Sequence, residues 1–141
     1  MENPSEPVSD LELLLQGLSP EARPGRFVFV SVEPGQSLEE VCHAWIREPE
    51  GPGAVVREED AQSLGLGYGP VFAWITLAVV SDLESVGLTA AVSGALAEAG
   101  ISANLLAGMH HDHVLVPFED LETALATLQD LSKSHNSQQD G

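Results

Sequence analysis

Three imidazoles and a carboxylate stand together at His110, His111, Asp112 and His113. On an extended strand His111 and His113 point the same way, and imidazole with carboxylate suits zinc or a similar metal. Neighbouring histidines can also relay protons. A metal site needs a complete donor set, though, and the other histidines are His43, far upstream, and His135, near the end. A polar hairpin turn accounts for the cluster more simply. The single cysteine, Cys42, has no nearby lysine or CxxC partner to lower its pKa and reads as a small core residue. It permits no internal disulfide, which fits a reducing cytoplasm. Phosphate-cradling loops, nucleophile elbows and paired catalytic His and carboxylate groups are missing from the sequence. No catalytic residue, metal or cofactor is therefore assigned.

The second group is chemically quieter. After an apolar run over residues 71–80 come Ser81, Asp82, Leu83, Glu84, Ser85, Val86, Gly87, Leu88 and Thr89, and then an Ala-rich segment. A helix starting there leaves free N-terminal amides beside the end of a strand, a place for a small carboxylate. The amides of Gly87, Leu88 and Thr89 could receive it, Gly87 lets a ligand approach the backbone, and Ser85 or Thr89 could add a hydroxyl. The plain alternative is that Gly87 and the hydroxyls only form the turn and cap. This arrangement suggests a sensor more than a catalyst.

The elements that must position these groups can be read in order. Asp10 can cap a short helix in which Leu11, Leu14, Leu15 and Leu18 share a face. Residues 19–25, around Pro20 and Pro24, read as a loop, and residues 26–32 (RFVFVSV) as the clearest strand. Over residues 37–47, Ser37 and Glu40 match a capping box, yet the turn signal at Pro49, Glu50 and Gly51 favours a hairpin. In that hairpin Val41, His43 and Trp45 share one face, and Cys42, Ala44 and Ile46 the other. Residues 58–66 form a short helix, acidic in its first turn. Residues 72–80 form a strand covered on one or both faces, with Trp74 (like Trp45) a core residue. Leu88, Val92, Ala95, Leu96 and Ala99 repeat at helical spacing until Gly100 stops the helix. Strands at 101–107 and 113–117 and a final helix at 119–131 complete the chain.

Net charge is −17, from five Lys+Arg against 22 Asp+Glu. No basic stripe is available to neutralise phosphates, which argues against nucleic acid and anionic membranes as partners. The longest apolar run is about half the ~20 residues that span a bilayer. The first ten residues are acidic, without the cationic start of a signal peptide.

The stretch ITLAVVSDLESVGLTAAVSGALAEAGISANLLAGMHHDHVLVP resembles the ACT domain, as seen in small stand-alone bacterial ACT proteins. The phrases LELLLQGLSP, FVFVSV, IREPEG and REEDAQSLGL are similar to the N-terminal part of that subgroup, so the likeness covers roughly residues 10–131. It departs at Pro52 and Gly53, where an apolar–Thr pair is usual, and at Met109, where an aromatic is common. The resemblance implies an α+β, ferredoxin-like fold of the βαββαβ type, an antiparallel sheet with helices on one face. It implies an incomplete ACT-like lobe at 10–68 and a complete ACT domain at 69–133, flanked by disordered tails at 1–9 and 134–141. It also implies an amino acid or related metabolite bound where the first strand meets the first helix, by Ser85, Val86, Gly87, Leu88 and Thr89. Asn104 on the next strand would reach the ligand's amino or carboxyl group, and a side-by-side homodimer would cover the sheet edges.

Overall fold

The computed structural model describes residues 10–79, 83 and 86–139, with side chains through residue 134. Six strands form one sheet: β1 (Pro20–Ser31), β2 (Ala44–Ile46), β3 (Gly53–Arg57), β4 (Phe72–Leu77), β5 (Asn104–Ala107) and β6 (Asp112–Pro117). Their order is β2-β3-β1-β4-β6-β5, and every neighbouring pair is antiparallel. Four helices accompany them: α1 (Leu11–Gln16), α2 (Glu58–Ser63), α3 (Leu88–Glu98) and α4 (Leu121–Gln139).

Strand β1 runs through the stretch expected to be a loop. Its first part, from Pro20 to Arg23, pairs with Leu77 to Trp74 of β4; its second part, from Phe27 to Ser31, pairs with Arg57 to Gly53 of β3. The register breaks between Arg23 and Phe27, where Gly25 has φ +117°. Pro24 is tolerated because it sits in this irregularity, where a strand needs no ladder donor. The prolines suggested a loop; Pro24 is accommodated by the bulge and Pro20 by standing first in the strand.

Alternation along the strands separates two faces. Ala73, Ile75 and Leu77 of β4, with Val114 and Val116 of β6, pack against Leu14 and Leu15 of α1, Leu88, Val92 and Leu96 of α3, and Ala124 and Leu128 of α4. Farther along the sheet, Val28, Val30, Ala54 and Val56 pack against Ala61 of α2. Helices therefore lie on one face, as expected. On the opposite face Phe27, Val55, Trp74 and Leu115 form a separate buried cluster, with no helix among the described residues packed over it.

Local chemistry explains the helix ends. The Asp10 carboxylate accepts from the amides of Glu12 (3.0 Å) and Leu13 (3.3 Å), capping α1. At the end of α3, Gly100 adopts φ +75°; its amide donates to Ala97 and that of Ile101 to Leu96. This is the Schellman arrangement, and Ile101 joins the same core as Leu96. Strand β5 consequently starts at Asn104 rather than at 101. Helix α4 continues through Gln139, into the stretch read as a tail. Its Ser132 hydroxyl donates to the Gln16 carbonyl at the end of α1 (3.0 Å).

The hairpin reading of residues 37–47 holds, since β2 pairs with β3. The face assignment does not extend upstream. The amides of Val41 and Cys42 both donate to the Leu38 carbonyl, making a turn, and both side chains pack on the Val28 cluster. His43 instead lies edge-on against Phe27 on the helix-free face, with ring centroids 5.0 Å apart.

Candidate functional site

Helix α3 begins where the sequence placed it. Gly87 adopts φ +98°, in the left-handed region, and its carbonyl accepts the Ala91 amide (2.9 Å) as the first bond of the helix. The amides of Leu88, Thr89 and Ala90 precede that bond and have no helical carbonyl to meet, as at any helix start. Leu88 is buried in the core, so only its backbone can face a ligand. Thr89 is exposed, and Val86 is 83% exposed. Ser85, like Ser81, Asp82 and Glu84 of the anticipated cap, lies outside the described residues.

The bare face of Gly87 meets protein. A Cβ built there would lie 3.0 Å from Leu11 Cδ2 on α1. What the missing side chain admits is therefore Leu11, a contact between segments 76 positions apart that local sequence does not announce.

Asn104 is not brought to this helix start within the chain. It pairs with Leu115, whose side chain belongs to the helix-free face, while α3 packs on the other. It is exposed on β5, an outer strand of the sheet.

In the histidine motif, the Gly108 amide donates to the His111 carbonyl (2.8 Å), closing the hairpin between β5 and β6. The Nδ1 of His111 lies 3.4 Å from the Val79 carbonyl. That of His113 accepts from the Trp74 indole (3.2 Å) and lies 3.0 Å from the Thr76 hydroxyl. The two imidazoles thus have separate partners. Among the described residues no group of three or more His, Cys, Asp or Glu side chains is placed to hold a metal ion.

Burial, with the charges of Arg23 and His111, holds the His113 pKa below its ordinary value, against the opposing pull of Asp112. Burial, then Arg23 and Arg57, lowers that of His43, opposed by Asp60. Both imidazoles are more readily protonated in the unfolded chain, so unfolding takes up protons as the pH falls through the ordinary histidine range near 6.5. The stability they contribute is present above that pH and lost progressively below it. Urea midpoints are expected to fall between pH 7.5 and roughly 5.5, and less steeply in the His43→Gln, His113→Gln double variant. An equal slope in both proteins would exclude these imidazoles as the source.

An antiparallel sheet with helices on one face, and a helix opening after a central strand, is an α+β module of the ferredoxin-like kind. Two ACT domain models match the chain, one over residues 72–130 and the other over residues 6–73. The chain belongs to the ACT domain family. A Vibrio cholerae protein of unknown function, described as a possible transport protein, is 45% identical, with a TM-score of 0.78; the match covers 86% of this chain and 95% of that one. The regulatory subunit of aspartate kinase from Thermus thermophilus, in its ligand-free form, matches at 16% identity and a TM-score of 0.59, covering 79% of this chain and 95% of that one. Escherichia coli aspartokinase III in complex with aspartate and ADP matches at 13% identity and a TM-score of 0.58, covering 79% of this chain and 32% of that one. The last two share the fold. No curated protein matches the chain. Among the described residues no helix is long and apolar enough to cross a membrane.

Proposed function

We propose that this protein is a cytoplasmic, non-catalytic sensor that binds a free amino acid at the start of α3 and works as a homodimer. The observation that carries the reading is the left-handed Gly87, which opens α3 after the central strand β4 and leaves the first α3 amides without helical partners. The ligand's carboxylate would meet the amides of Val86, Gly87, Leu88 and Thr89, with hydroxyls from Ser85 and Thr89. Pairing of two copies through β5 would satisfy its open backbone groups and carry Asn104 of each to the seam. Likeness to ACT regulatory subunits supports the class of ligand. Binding acts on a partner only through its different affinity for two arrangements of loop or dimer.

Thermal melts with each of the twenty amino acids test this. A true ligand at 100 times its Kd should add about 2.7 kcal/mol, roughly 8–10 °C for a chain of this size. Thr89→Val, which removes an exposed hydroxyl and keeps the shape, should reduce that shift without changing the unliganded melt. If no amino acid raises the midpoint, the sensor reading falls.

A further inference from the structure

The helix-free face holds a second candidate site, distinct from the start of α3. Strands β2 and β5 are the two edges of the sheet, yet Ala44 to Ile46 and Leu105 to Ala107 line one cavity of about 470 Å³. The sheet is therefore curved, with residues of both edges lining one concavity. Between them stand Arg23, His43, Trp74 and His113. The Arg23 guanidinium lies over the Trp74 indole, 4.3 Å from the ring centroid, and its Nη1 donates to His43 Nδ1 (3.0 Å). On the other side of that strand the indole N–H donates to His113 Nδ1 (3.2 Å).

These bonds fix the donor pattern. Each imidazole accepts at Nδ1, so in its neutral form each carries its proton on Nε2. The cavity thus offers a guanidinium with N–H groups to spare, beside two imidazoles already bonded at Nδ1, against apolar walls that include Ala44 and Leu106. The ion pairs found among the described residues join Arg26 to Glu58 and Arg57 to Glu59; none involves Arg23. In a chain with 22 acidic and five basic residues, a half-buried arginine facing histidine and tryptophan instead of a carboxylate is unusual. The charge of Asp60 favours protonation of His43, and that of Asp112 protonation of His113, in each case against the larger effect of burial.

We propose that this cavity binds a small monocarboxylate with an apolar body, its carboxylate on the Arg23 guanidinium and its body against Ala44 and Leu106. One fixed positive charge matches one negative charge, and the guanidinium fork matches a planar carboxylate. The wall area suits a compact apolar group, since concave sites of this size combine apolar lining with a few placed donors. The proposal does not depend on amino-acid binding at α3.

The probes are benzoate, neutral benzamide of the same shape, and inorganic phosphate, none of which has an α-amino group. The chain has two tryptophans, and its two indole N–H signals are assigned with Trp45→Phe. Benzoate should shift the Trp74 signal saturably, benzamide should not, and Arg23→Gln should weaken benzoate at least tenfold, with partial recovery in Arg23→Lys. Should Arg23→Gln fail to fold, Ala44→Leu, which fills the cavity from β2, provides the second arm and should abolish the shift. Equal binding of benzamide, undiminished binding in Arg23→Gln or Ala44→Leu, or no shift at millimolar benzoate would overturn the proposal. Phosphate binding as tightly as benzoate would overturn the monocarboxylate assignment in favour of a simple oxyanion.

Discussion

Trp74→Ala is expected to destabilise the protein by about 3–5 kcal/mol, the range for truncating a fully buried aromatic. Trp74 is 2% exposed on a face with no helix to close over the hole. Its ring touches Phe27 and His43 of other segments (centroids 5.6 and 5.9 Å) as well as His113 (5.2 Å), and carries the Arg23 guanidinium. Collapse around the cavity would have to move three strands. The loss is large beside a typical total stability of 5–15 kcal/mol. Trp45, 45% exposed on β2, is the control: Trp45→Ala should cost less than about 1 kcal/mol. Urea unfolding of both variants decides the matter, and a Trp45→Ala loss equal to that of Trp74→Ala would show that the helix-free cluster is not a core. Trp74→Phe separates packing from polarity. It should retain most of the stability, and what it loses beyond the change in volume measures the indole's bond to His113 Nδ1.

Gly87→Val should cost about 2–4 kcal/mol, from two sources that can be told apart. A β-branched residue at φ +98° is strained whatever surrounds it. Its Cβ also presses on Leu11, which must move. In the double variant with Leu11→Ala the second source disappears and the first remains. The pair should therefore be less destabilised than the sum of the singles, a coupling of about 1 kcal/mol in chemical denaturation. Strict additivity would mean that Leu11 yields freely. This variant also disturbs folding, so lost ligand binding in it would say little about ligand contacts; Thr89→Val is the cleaner probe.

Legibility in the sequence followed the range of the interaction. Asp10, Gly100 and the apolar spacing of α3 act within a turn or two, and their elements form where those residues put them. The start of strand β1 was hidden because Pro20 and Pro24 carry a local signal for loops, while the bulge at Gly25 that admits Pro24, and the pairing of Pro20 with Leu77, depend on β4. Leu11 under Gly87 and Arg23 against His43 join distant segments, so no spacing rule reports them. Asn104 was placed on the right strand, but which face it occupies depended on where β5 begins. The histidine motif looked like chemistry because its members are adjacent; pairing gives His113 to Trp74 and leaves His111 in the turn.

The two matching family models meet at residues 72 and 73, as if the chain were two pieces set end to end. The middle of the sheet disagrees. Strand β4, the first strand of the second piece, has β6 on one side and β1, from the first piece, on the other. Cut at that border, the second piece would expose a whole flank of its central strand, and the first would lose the partner of half its longest one. The unit that each family model matches is thus smaller than the sheet it helps to build.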